Sequence, residues 1–289
     1  MANNLFQISI LGWAFTVLVI GSTPWKFSYN RAPVLDTENL VSGESCTIDN
    51  FAFDPGETLT YKMYYNWKFV WVSAGEVTFQ VEEVDGEYKI SAIGSTYKSY
   101  DSFFKVRDKY HSYLNKETLL PSVSLRDVEE GSYRLYYKVT FDRTDNTALS
   151  LRGKSEETAK EKTYPVEDCI HDILSIIYFS RNLNFAQMSE GEAFPIKIFI
   201  DKKTWPLQVV YQGKAKKKRI RGQGKFDTLL FSPEVIAGNV FSEGANVNVW
   251  VSDDKNRIPL QFESPLTVGS VKAVLKGYKG LKHELTSAY

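Results

Sequence analysis

The chain has 289 residues, 43% apolar and 24% charged, the balance of a globular protein rather than a disordered or polytopic one. Lys plus Arg number 35 and Asp plus Glu 35, so there is no basic field for nucleic acid. Two cysteines and three histidines exclude a disulfide-dense scaffold, a cysteine-built zinc cluster and a His-rich metal site, and we expect no cofactor.

No charged side chain precedes Lys26, and Ile8 to Ile20 is an apolar run followed by Gly21, Ser22, Thr23 and Pro24. A run of that length is short for a membrane span, which wants about 20 apolar residues, and it matches the apolar region of a secretory signal peptide. Residues 1–22 are therefore read as a signal peptide, with a retained anchor as the alternative. Residues 23–45 are polar and aperiodic, a tether. Residues 46–282 then form a β domain, either one unit or two β halves flanking a helix. Export places Cys46 and Cys169 in an oxidising compartment, where a disulfide between them is expected; two unrelated buried thiols are the plainer alternative.

From Glu57 onward the apolar period is two. Leu59, Tyr61, Met63 and Tyr65 share a face, as do Val77, Phe79 and Val81. Asp85-Gly86 predicts a tight hairpin turn. Phe104, Val106, Asp108, Tyr110 and Leu114 form the next apolar face, and Val123, Leu125 and Asp127 are read as the face opposite. A three-residue loop, Glu129-Glu130-Gly131, keeps that face on the same side as Leu135, Tyr137, Val139 and Phe141; a two-residue loop flips one strand. Residues 154–163 are a solvated charge run. Helical spacing of Ile170, Ile173, Leu174, Ile177 and Tyr178 predicts a helix over 168–184 with Asp168 as its cap. Strands resume at Ile196–Ile200, Leu207–Tyr211, Val247–Val251 and Ile258–Glu263. Gly269 is expected to be a bulge that restores phase between Val268 and Val271. The fold class is mainly β: antiparallel strands in a curved sheet, roll or half-open barrel with one central α-helix. Gly56-Glu57 and Gly191-Glu192, each before a strand, are a faint internal echo.

Strong catalytic signatures are lacking, and four weaker features remain. Asp108 and Asp127, both placed on an apolar face with Arg107 beside them, form either a desolvated acid/base pair or structural hydrogen-bonding groups. Asp253, Asp254 and Arg257 lie in a polar segment that suits a cation or a clamped anion, although Asp and Asn are also ordinary turn residues. Lys214, Lys216, Lys217, Lys218, Arg219 and Arg221 charge both faces of one strand, so that segment is exposed or an edge. It is placed to meet phosphate-bearing lipid or an anionic glycan, or is simply solvated. His171 and Ser175 mimic a triad with Asp168 and Asp172, but all four sit on one short stretch without an oxyanion hole. Trp67, Trp71, Trp205 and Trp250 fall in strands, and Trp250, out of phase with Val249 and Val251, is a stacking platform if it faces outward.

The stretches FAFDPGETLTYKMYYNWKFVWVSAGEVTF, KSYDSFFKVRDKYHSYL, LRDVEEGSYR, CIHDILSIIYFSRNL and WVSDDKNRIPLQFESPLTVGSVKAVL resemble the exported bacterial proteins grouped as domain of unknown function 3108. The resemblance runs from about Cys46 to Leu275. It implies an exported protein of a Gram-negative envelope with antiparallel β architecture, and carries no activity, ligand or catalytic residue. The reading favoured here is a non-catalytic binder of an amphiphile, glycan or partner chain. An envelope-polymer hydrolase or lyase using Asp108 and Asp127, and an assembly factor working through bare edge strands, are the alternatives. An open apolar interior favours carriage, converging acids an enzyme, and a filled interior with a bare edge assembly.

Overall fold

A computed structural model describes residues 46–67, 70–234, 247–266 and 269–289. Its strands run β1 (Thr58–Trp67), β2 (Val70–Val84), β3 (Glu87–Thr96), β4 (Val106–Leu114), β5 (Pro121–Glu130), β6 (Tyr133–Asp142), β7 (Thr147–Gly153) and β8 (Lys160–Pro165). After the helix come β9 (Ala193–Ile200), β10 (Lys203–Ile220), β11 (Gly224–Pro233), β12 (Asn248–Ser252), β13 (Pro259–Pro265) and β14 (Ser270–Lys279). All fourteen belong to one antiparallel sheet in the order β8-β7-β6-β5-β4-β3-β2-β1-β14-β13-β12-β11-β10-β9. Two meanders are thus joined where β1 pairs with β14, and β8 and β9 are left as the edges of an open sheet.

Side chains draw those edges together in place of a backbone ladder. Tyr164 of β8 and Phe141 of β6 lie 5.9 and 6.1 Å, ring to ring, from Phe199 of β9. Asp201, in the turn after β9, accepts from both Arg126 and Arg152 at 2.6 Å. These contacts cross from the N-terminal meander to the C-terminal one.

The α-helices are short: α1 (Lys98–Asp101) and α2 (Ile173–Ser180). The second fills the sheet's concave side, burying Ile173, Leu174, Ile176, Tyr178 and Phe179 against β3, β4 and β9. It starts later than its periodicity predicts, and the cause is local. Cys169 takes a left-handed φ of 57° and is bonded to Cys46, with the Cα atoms 5.4 Å apart. His171 then pairs with β9, its N–H donating to the Lys197 carbonyl and its own carbonyl accepting from Phe199. Asp172, not Asp168, caps the helix, accepting from the Ser175 N–H at 2.7 Å in a capping box. The extended pairing that covers part of the β9 edge consumes the first predicted turn.

Asp85-Gly86 is the two-residue turn expected, with φ of 52° and 83° between β2 and β3. The turn between β5 and β6 is different from expectation. Glu130 pairs with Tyr133, which leaves a two-residue loop, Gly131-Ser132, with Gly131 at φ 54°. The shorter loop flips β5: Arg126, Val128 and Glu130 are buried and Leu125 and Asp127 are not. An inward arginine is stable there because Asp201 neutralises it and the Tyr137 ring lies 4.7 Å beneath it. Gly269 is likewise a turn residue rather than a bulge. It holds φ 80°, its carbonyl accepts from Leu266 N–H, and a Cβ there would stand 2.2 Å from the Asn66 carbonyl. Val268, its proposed phase partner, lies outside the described residues.

Two hydrophobic clusters result. The larger fills the concave side around α2, with Phe53, Met63, Ile90, Leu114, Ile170 and Tyr178. A smaller one holds Leu59, Tyr61, Ile220, Phe226, Ile258, Leu260 and Leu275. β1 feeds both: Leu59, Tyr61 and Tyr64 join the smaller cluster and Met63 and Tyr65 the larger. Its partners each carry one extra residue against it, β14 opposite Thr60/Tyr61 and β2 opposite Met63/Tyr64.

Candidate functional site

Beside the helix the described residues enclose one small space. The space bounded by Tyr110, Arg126, Tyr137, Asp172 and Phe199 measures about 10 Å³, enough for one water at most. Most polar groups around it are occupied, the buried Arg126 Nη1 excepted: the Asp172 carboxylate accepts from Ser112 at 2.6 Å, and Ser175 reaches the His171 ring at 3.2 Å. Burial holds His171 neutral, its pKa down at about 3, and raises Asp172. His171, Asp172 and Ser175 are a helix cap buried in the core, and Asp168 stands exposed outside it.

Arg181, just after α2, is the main polar pillar of that core. It donates to Glu57 bidentately at 2.6 and 2.7 Å, to the Asn256 and Ala52 carbonyls, and lies between the rings of Phe53 and Tyr178.

The proposed acid pair does not converge. Asp108 is buried and faces inward, its carboxylate accepting from the Glu129 N–H at 3.2 Å. Asp127 points to solvent, 3.7 Å from Lys109. The β4–β5 register sets Asp108 against Val128 and Lys109 against Asp127, so the two carboxylates occupy opposite faces. Arg107 is tied to Asp101 at 2.5 Å, and with Thr96 it pulls the Asp101 carboxyl down to about 2. A general acid/base pair at these positions has no geometric basis.

The 253–257 segment is a turn held by its own carboxylate. Asp254 accepts from Ser252, from the Asn256 and Arg257 N–H groups, and from Ser287. Asp253 pairs with Lys214 at 2.8 Å. Arg257 donates to the Arg181 and Leu183 carbonyls. Among the described residues no cluster of three or more His, Cys, Asp or Glu side chains is placed to hold a metal.

The basic strand is where side chains converge. β9 pairs with β10 only as far as Val210, so the end of β10 is hydrogen-bonded on one side, to β11. Register slips at Tyr211/Lys214 and Ala215/Lys218 sort its charges. Lys214 is taken by Asp253, Lys217 lies over the Tyr289 ring, and Lys216 is exposed. Lys218, Arg219 and Arg221 turn instead over the outer face of the sheet and wall a pocket of about 360 Å³.

Its floor comes from neighbouring strands: Gln261 and Glu263 of β13, Lys272 of β14, Tyr64 of β1 and Trp71 of β2. Cations stand over rings throughout. Lys272 lies 4.5 Å from Trp71, Arg221 5.0 Å from Tyr64, and Lys218 3.8 Å from Trp250, the out-of-phase tryptophan. Glu263 pairs with Lys272 across the β13–β14 ladder. Among the described residues no carboxylate comes within ion-pair distance of Lys218, Arg219 or Arg221, while each of Lys214, Lys272 and Lys276 has one. The walls therefore carry four cations against one carboxylate in a chain with no net charge. Partial burial lowers the Lys218 pKa, with Lys272 adding to the effect and Glu263 opposing it.

Sequence reading reached Lys218, Arg219, Arg221, Trp71 and Trp250 separately. It missed Tyr64, Gln261, Glu263 and Lys272, because the β1–β14 pairing that gathers them joins residues far apart in the chain. Trp205 packs on the core, and the Trp67 side chain lies outside the described residues.

The family described as "Protein of unknown function (DUF3108)" matches residues 60–276. No curated protein matches the sequence. Among solved structures the chain is similar to a β-barrel-like protein of domain of unknown function DUF1849 from Brucella abortus. The identity is 9%, over 79% of this chain and 98% of that one, at a TM-score of 0.55. That likeness shows the fold. A second structure, described as "a putative exported protein with YmcC-like fold" from Bacteroides fragilis, aligns at 12% identity over 81% of this chain and all of that one, with a TM-score of 0.30. Among the described residues no helix is long and apolar enough to cross a membrane.

Proposed function

The chain belongs to the DUF3108 family, which supplies no activity, and from the site itself we propose that it is a non-catalytic binding protein of the Gram-negative cell envelope. It is exported to the periplasm and holds an anionic, phosphate-bearing group in the pocket beneath Lys218, Arg219 and Arg221. The apolar run at Ile8–Ile20 and the Cys46–Cys169 bond support export, since disulfides persist in oxidising compartments. One observation carries the binding reading: three cations without carboxylate partners among the described residues wall one pocket, two of them, Lys218 and Arg221, over aromatic rings. Charge-assisted hydrogen bonds to a phosphate are the interactions that such an array offers. A volume of about 360 Å³ falls at the lower end of ligand-sized sites, roughly 300–1,000 Å³. The space beside the helix, at about 10 Å³, lends no support to carriage there, and the separation of Asp108 from Asp127 removes the support for hydrolysis. Recruitment of a strand along β8 is disfavoured because Lys160, Glu161, Lys162 and Pro165 blunt that edge.

Native mass spectrometry of protein purified from its own envelope tests the reading. Wild type should retain a phosphorus-containing adduct that the Lys218→Ala/Arg221→Ala variant loses. A bare wild-type mass, or equal adducts on both proteins, would overturn it.

A further inference from the structure

The hairpin of β1 and β2 ends beside the pocket, and the start of β2, Val70-Trp71-Val72, is apolar on both faces of the strand. Asn66 pairs with Trp71 and Tyr65 with Val72. Successive strand residues point to opposite faces, yet Val70 is 61% exposed, Trp71 37% and Val72 40%. Most apolar side chains of this sheet pack under α2 or in the second cluster; these three keep much of their surface open, Trp71 beneath Lys272. Trp71 belongs to both features, since it forms part of the hairpin tip and part of the pocket wall, under Lys272.

We propose that this corner of the molecule docks on an anionic phospholipid bilayer, with Val70, Trp71 and Val72 entering the interface and a lipid phosphate entering the pocket. The inference rests on the binding reading above and names its ligand. A tryptophan flanked by valines suits the headgroup level of a bilayer, where an amphipathic ring has one end apolar and the other wet. Cations beside it are drawn to a negatively charged leaflet, and each adds to the attraction. Charge complementarity selects this occupant over a second copy of the chain, whose corner would bring the same cations together. A strand segment that is apolar on both faces suits immersion, whereas one flat partner surface would cover a single face.

Flotation with phosphatidylcholine vesicles, with and without about 30 mol% phosphatidylglycerol, measures the docking. Wild type should partition onto the anionic vesicles, release as salt is raised and ignore pure phosphatidylcholine. Val70→Ser/Trp71→Ala/Val72→Ser and Lys218→Ala/Arg221→Ala should each weaken partitioning by roughly tenfold or more. All these proteins share the same N-terminal segment, so differences between them report on the tip and the pocket. Lipids brominated on their chains should quench a tryptophan signal in wild type that Trp71→Phe, which keeps an aromatic ring, removes. No preference for anionic vesicles, or unchanged partitioning and quenching in the tip variants, would overturn the proposal. Glycerol phosphate in solution separates the two readings. Binding it while ignoring vesicles ends the bilayer proposal and leaves the pocket; binding neither ends both.

Discussion

Arg181 and Lys218 are both cations held over aromatic rings, and the molecule treats them in opposite ways. Arg181 is buried, with a bidentate carboxylate, two carbonyls and two rings around it. Lys218 stands over Trp250 at the mouth of a pocket, with Arg219 and Arg221 beside it and none of the three within ion-pair distance of a described carboxylate. A charge inside the fold needs its partner in the same chain, because an unpaired buried ion is costly. A charge at the rim is tolerated by water and remains available. The contrast separates the charges that hold this protein together from those free to meet something else.

The largest effect should come from breaking the inner arrangement on one side only. Glu57→Gln or Arg181→Met leaves a buried charge without its partner and should cost about 3–5 kcal/mol in denaturant unfolding. Replacing both residues with apolar ones of similar size should recover most of that loss. A single variant that unfolds like wild type would remove the distinction between the two regions.

Next in size is the Cys46–Cys169 bond, which closes a loop across a separation of 123 residues. Cys46→Ser/Cys169→Ser should lower stability by about 2–5 kcal/mol. It should also increase hydrogen exchange at the Phe199 amide, which donates to the His171 carbonyl two residues beyond the bond. Global destabilisation without faster exchange there would mean that the bond does not hold the β9 edge.

His171 gives a smaller effect with a defined sign. Its pKa falls from 6.5 to about 3 on burial, so between those values the unfolded chain binds more protons than the folded one. Stability is complete above 6.5 and falls as the pH drops toward 3. At about pH 5.5 the loss from this residue alone should be about 1 kcal/mol. Asp172, with its pKa raised by burial, opposes it, since protonation relieves its buried charge as the pH falls. Thermal unfolding of His171→Gln across that window should show a flatter acid limb than wild type; an unchanged limb would place the acid sensitivity elsewhere.

Much of the architecture is legible in period-two patterning, and the Asp85-Gly86 turn can be read outright. Errors arose where one residue of register decided a face. The shorter β5–β6 turn moved Asp127 outside and Arg126 inside, because Asp201, seventy-five residues on, neutralises the arginine. Helical spacing placed α2 correctly at its centre but not at its start, since the disulfide and the His171–β9 bridge override local propensity. The basic run gave half of the pocket, and the lone Trp250 gave its underside. The rest needed the β1–β14 pairing, a contact between strands near opposite ends of the chain.

Pocket variants mark the small end of the stability scale. Lys218→Ala/Arg221→Ala should unfold within about 0.5 kcal/mol of wild type, which makes it a clean reporter of binding. The most direct measurement follows the tryptophan indole N–H resonances, assigned by single Trp→Phe variants, during titration with glycerol phosphate. Trp71 in the pocket wall and Trp250 beneath Lys218 should move in a saturable way that the Lys218→Ala/Arg221→Ala variant abolishes, while Trp205, packed against the core, stays still. Silence at Trp71 and Trp250, or movement centred on Trp205, would contradict a ligand site on the outer face.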